Sequence, residues 1–164
     1  MNTSIAKTNN LWRVALIDVV LLTAACFIPT LSHVFALPLY QLNPMLIVLL
    51  AGMLLVADRR NAFLLAVLLP VVSMLAVGMP TPMKALCMVP ELLTVVAVST
   101  MLQGKAASFL GRCGFMVAAM LSGKVVYYGL KAMLIGGALI TTPVLTQVLV
   151  VLGAALAFTA IAKK

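Results

Sequence analysis

The chain has 164 residues, of which 65% are apolar and only 9% charged, with a mean hydropathy of +1.24. A water-soluble domain is about 45–50% apolar and about 25% charged. A chain this size and this short of polar residues cannot cover its own apolar surface in water, which excludes a soluble fold and leaves an integral membrane protein. The net charge of +8 is read through the positive-inside rule and not as a nucleic-acid footprint.

A bilayer core of about 30 Å takes roughly 20 helical residues to cross. The expected fold is therefore an all-α membrane bundle of six transmembrane helices in one domain, residues 1–164. Met1–Asn10 reads as a polar tail. The first span covers about 11–35 and contains Asp18 and Pro29. Leu37–Pro44, with two prolines, reads as a loop. The second span, 45–57, is short for a crossing and is expected to be partly covered by protein or to begin inside the preceding loop. Asp58-Arg59-Arg60-Asn61 reads as a tight polar turn before a third span at 62–77.

Gly78-Met79-Pro80-Thr81-Pro82-Met83-Lys84 is a Gly/Pro break. The fourth span is expected over 85–102, with Pro90 and Glu91 in its first turns. Gln103-Gly104-Lys105 turns the chain into a long fifth span, 106–135, and Gly136-Gly137 with Thr141-Thr142-Pro143 precedes a sixth, 143–161. With the N-terminus inside, Lys7, Arg13, Arg59, Arg60, Lys105, Arg112, Lys163 and Lys164 all fall on the cytoplasmic side, and only Lys84 falls in an outer loop. Both termini are thus expected in the cytoplasm. A cleaved signal ending near Cys26 is disfavoured, because Asp18 interrupts the apolar run it needs.

Nothing in the chain supports catalysis. There is no phosphate-binding glycine loop, no His-Glu-x-x-His helix and no nucleophile elbow, and one histidine with three acids leaves little material for an active site. Cys26, Cys87 and Cys113 are scattered and read as small buried hydrophobes. Met45, Met79, Met83 and Met88 lie near Cys87 and the outer loops, but methionine is a common filler in a chain with eleven of them, so neither a metal nor another cofactor is expected.

Ionisable side chains at membrane depth are costly, and so they are the candidates for function. Lys124, Tyr128 and Lys131 fall at i, i+4 and i+7 and share a helix face, with Tyr127 beside it. The alternative for the two lysines is snorkelling to the interface. Glu91, the only glutamate, reads either as a charge partner of Lys84 or Lys124 at a helix start or as a ligand contact. Asp18 reads as a helix–helix contact. His33 lies near the outer end of the first helix, close to Tyr40 and Asn43. These groups converge on the outer side, while the inner halves of the helices are nearly all apolar. That pattern suits a pocket open to one side and not a conducting pore.

Several segments at these spacings, Leu42-Asn43-Pro44-Met45, Leu69-Pro70-Val71-Val72-Ser73, Gly78-Met79-Pro80, Met88-Val89-Pro90-Glu91-Leu92 and Ser122-Gly123-Lys124, give the chain its family likeness. It resembles the substrate-binding S subunits of energy-coupling-factor (ECF) vitamin transporters over about Leu11–Ile161. The resemblance implies a multi-pass protein of the bacterial cytoplasmic (inner) membrane that captures a small water-soluble vitamin or precursor. It also implies a transmembrane coupling subunit and two ATPase subunits as partners. Substrate contacts would come from His33, Tyr40, Asn43, Met83, Lys84, Glu91, Lys124, Tyr128 and Lys131, and the lysines against Glu91 suit a ligand with an anionic or zwitterionic part. Family members usually offer Ala-x-x-x-Ala on the first helix to the coupling subunit; Ala15 and Val19 stand there here, an imperfect match. The alternatives are a small membrane channel or transporter, including one for a metal, and a membrane assembly protein.

Overall fold

The computed structural model describes residues 2–34, 43–56, 58–102, 108–135 and 144–161, without the side chains of 2–10, 29–33 and 144–145. Six helices are found among them: α1 (Asn2–Val34), α2 (Pro44–Leu55), α3 (Arg59–Val77), α4 (Pro82–Leu102), α5 (Phe109–Leu134) and α6 (Val144–Ile161). Four carry stretches long and apolar enough to cross a membrane: Leu11–Ile28 of α1 and the whole of α3, α4 and α5. The chain is a multi-pass membrane protein. Pro44–Leu55 and Thr146–Ile161 are shorter apolar helices.

The helices pack as a closed ring in the order α1, α3, α4, α5, α6, α2, with the α4/α5 interface the most extensive. Leu46, Leu49, Leu65, Leu69, Leu92, Val95, Val96 and Met120 fill its centre. The outer surface is apolar too: Trp12, Leu16, Val19, Leu75, Leu110, Val125 and Met133 are all well exposed. An apolar exterior is stable against acyl chains, which solvate it directly. α1 is the most peripheral helix, with only 11% of its apolar stretch buried.

Several expected boundaries shift, each for a local reason. The residues read as a polar tail are helical, and α1 runs unbroken for 33 residues. At about 1.5 Å per residue that is some 50 Å, longer than a bilayer core. The turn read at Asp58–Asn61 is in fact a helix start. Asp58 is the N-cap of α3, its side chain accepting from the Arg60 amide at 3.0 Å, so Arg59, Arg60 and Asn61 already belong to α3.

At the opposite end of the bundle Gly78 closes α3 in the left-handed region (φ 72°), its amide reaching the Met74 carbonyl. That conformation is cheap only for glycine. Buried Ser73 donates to the Met79 carbonyl at 2.7 Å, which ties the turn back onto α3. α4 then starts at Pro82, a position where proline's missing N–H costs nothing. Met83 and Lys84, expected in the break, are its exposed first turn.

Two polar bonds join the helices toward the Asp58 end. Asp18 of α1 accepts from the Asn61 side chain at 2.9 Å, the helix–helix contact expected of it. Arg59 of α3 donates to the Thr100 carbonyl in the last turn of α4 at 2.8 Å, where a cation also complements the helix dipole. We expect Asn61→Leu, which strips the half-buried Asp18 carboxylate of its described donor, to lower stability by about 1–3 kcal/mol in detergent unfolding.

Candidate functional site

Glu91 sits nine residues into α4, not in its first turn. This shifts the expectation of a span starting at 85 with Pro90 and Glu91 in its first turns: α4 begins at Pro82, and Pro90 lies well inside it. Transmembrane helices tolerate an internal proline where neighbouring groups satisfy the freed backbone. At about 1.5 Å per residue, Glu91 lies some 13–14 Å from the start of α4, near the middle of the bundle, and is only 2% exposed.

Its partner is Lys124 of α5, not Lys84. Lys124 Nζ lies 2.7 Å from Glu91 Oε1, with the lysine side chain 18% exposed. Asn43 Nδ2 donates to the same oxygen at 3.1 Å. Among the described residues no hydrogen bond or ion pair is made to Glu91 Oε2. The ammonium also lies over the Tyr127 ring, 5.5 Å from its centroid, a cation–π arrangement. Cys87, one turn before Glu91 on α4, is fully buried.

Each member is held by the local fold. Asn43 is the N-cap of α2 in the left-handed region (φ 50°), which asparagine adopts more readily than other side chains that are not glycine. α2 therefore begins beside Glu91, deep in the bundle, which explains its length of only 12 residues. On α5, Gly123 lets the backbone approach α4: a Cβ there would lie 2.6 Å from Val95 Cγ2 and 2.9 Å from the Glu91 carbonyl oxygen. Any larger residue would push Lys124 away from its partner.

The shared face of Lys124, Tyr128 and Lys131 is divided between two neighbours. Lys124 turns to Glu91 of α4, whereas Tyr128 donates to Gln147 Oε1 of α6 at 2.7 Å and stacks edge-on with Tyr127 at 5.4 Å. Lys131 is buried at 8% exposure, about 10 Å along the helix from Lys124. Met83 and Lys84 are exposed at the start of α4, away from the ion pair. The His33 side chain and all of Tyr40 lie outside the described residues. Ala15 and Val19 are exposed on α1.

Tyr127, Gly123 and Gln147 complete this region, and none was singled out as a site residue from sequence. Gln147 had a signal, being a lone amide in an apolar helix. Gly123 had none beyond its place before Lys124.

Below the cluster, toward the Asp58 end, Leu65, Leu69, Val95, Val96, Met116 and Met120 are all buried and form an apolar floor. A separate apolar groove of about 670 Å³ runs between α2 and α6, lined by Ile47, Leu50, Leu149, Gly153 and Phe158 among others. Thr146 is the one polar side chain in its described lining. Among the described residues no three His, Cys, Asp or Glu side chains group as metal ligands.

Comparison with protein-family models, curated proteins and solved structures gives no match for this chain.

Asn43→Gly tolerates the left-handed backbone and removes the side chain that carries the amide. We expect it to cost about 1.5–3 kcal/mol, the range for a hydrogen bond to a charged group, read from detergent unfolding. An unchanged midpoint would show that the amide contributes nothing to holding Glu91.

Proposed function

We propose that the chain is a substrate-capture subunit of the ECF type, binding a small water-soluble vitamin or precursor and delivering it inward with a coupling subunit and two ATPases. The observation that carries this reading is the Asn43–Glu91–Lys124 cluster built around the buried Glu91 carboxylate. A buried ion pair is weak evidence for stability, since apolar residues of similar size would serve as well or better, and charges at membrane depth are functional by default. The apolar floor beneath the cluster favours one-sided access over a continuous polar path.

In this reading all six helices serve the crossing, with both termini cytoplasmic in a bacterial inner membrane. α2 is short because it starts beside Glu91, where its N-cap Asn43 donates to the carboxylate. The exposed stripe of α1 around Ala15 and Val19 is the surface offered to the coupling subunit. Energy comes from the partners, as no nucleotide motif is present in the sequence.

A panel of water-soluble vitamins in thermal unfolding of the purified chain tests capture. A ligand present at about 100 times its Kd adds about 2.7 kcal/mol of stability, a clear rise in midpoint. No response to any member would count against capture. Orientation is tested separately: with the native cysteines replaced, cysteine at position 84 should react with an impermeant maleimide from outside intact cells, and cysteine at position 60 only after permeabilisation.

A further inference from the structure

We propose that the ligand of the Glu91–Lys124 site is a net-neutral zwitterion, a small molecule joining a cationic N–H donor to a carboxylate. This rests on the capture reading and narrows its substrate class.

The charges at the site balance. Glu91 contributes one negative charge and Lys124 one positive charge, in contact at 2.7 Å. Lys84 stands exposed in the first turn of α4, and Lys131 lies about 10 Å further along α5, so neither joins the pair. Asn43 and Tyr127, the other polar groups in contact with it, are neutral side chains.

A ligand must enter without stranding either charge, because an unpaired ion in a low-dielectric interior costs several kcal/mol. A simple anion would draw Lys124 away and leave Glu91 with Asn43 alone. A simple cation would take Glu91 and leave the ammonium with only the Tyr127 ring. A zwitterion avoids both. Its carboxylate meets Lys124, the more accessible partner at 18% exposure, and its N–H donor meets Glu91 Oε2, the oxygen that no described residue engages. Each buried charge then keeps an opposite one, and Asn43 still holds Oε1.

The test uses the full chain in lipid nanodiscs, with thermal unfolding as the readout. The probes share one benzene ring, chosen for the flanking Tyr127 face, in three charge states: para-(aminomethyl)benzoate as zwitterion, its methyl ester as cation and para-toluate as anion. At millimolar concentration the zwitterion should raise the wild-type midpoint at least threefold more than either charged probe. Glu91→Gln leaves the site positive and should shift the preference to para-toluate. Lys124→Gln should shift it to the ester. The Glu91→Gln/Lys124→Gln double variant, which strands no charge, should lose the discrimination and remain folded.

A wild-type preference for the anion or the cation overturns the proposal, as does a preference that stays the same in all variants. If no probe acts but a vitamin from the panel does, the charge of that vitamin decides: zwitterionic supports the proposal, net-charged overturns it and leaves capture standing. Failure of every probe and every vitamin overturns both.

Discussion

Lys124→Met should destabilise the protein by about 3–5 kcal/mol, the loss seen when one partner of a buried ion pair is removed. Glu91, at 2% exposure, would keep Asn43 as its donor but lose its counter-charge. Adding Glu91→Gln removes the stranded carboxylate and should return most of that stability, since a neutral amide can still accept from Asn43. Ligand binding should not return with it. This dissociation separates the two roles the pair could have. A pair that serves stability alone would give a double variant that recovers everything measurable. A pair that receives a ligand gives a folded double variant that binds at least tenfold more weakly. Unfolding midpoints and ligand titration on the same four proteins (wild type, two singles and the double) decide between them.

Gly123→Ala is the second large effect, through sterics instead of charge. The new methyl would meet the Glu91 carbonyl oxygen at 2.9 Å and Val95 Cγ2 at 2.6 Å. The valine methyl can shift, but the backbone oxygen cannot without moving α4. Overpacking of this kind costs about 1–3 kcal/mol, and the same displacement lengthens the Lys124 to Glu91 contact set one residue away. Ligand affinity should fall about tenfold together with stability. Gly129 is the control on the same helix. A Cβ there meets nothing within 4 Å, and alanine is the better helix former, so Gly129→Ala should be neutral or slightly stabilising. Equal losses at both glycines would show that α5 is sensitive to any substitution, and that the close approach at Gly123 is not special.

The membrane class and the helical fold were legible in the sequence because they follow from bulk composition. With 65% apolar residues gathered in long apolar runs, lipid-facing helices are the fold the chain points to. The candidate pair was legible in part. Glu91 and Lys124 stood out as ionisable groups in apolar segments, and their charges are opposite. The depth of Glu91 was not legible, because the Gly/Pro break was expected to run to Lys84, which put Pro90 and Glu91 in the first turns of the helix. The helix instead starts at Pro82 and continues through Pro90.

Asn43 was visible as a loop residue before Pro44 and, through the resemblance, as a substrate contact. Its role depends on α2 starting deep in the bundle, a tertiary fact with no local signature. Gly123 was silent for the same reason, since close approach of two helices is a property of both. Helix periodicity put Lys124 and Tyr128 on one face, correctly by spacing. That face is wide enough to span the seam between two neighbours, so the two side chains found different partners.

The most direct measurement is native mass spectrometry of gently purified wild type beside the Glu91→Gln/Lys124→Met double variant, with released small molecules identified. The capture account predicts a stoichiometric vitamin-like molecule on the wild type and none on the equally folded double variant. A wild type that carries nothing and gains no stability from the vitamin panel, or a double variant that keeps the same molecule at the same occupancy, would contradict it.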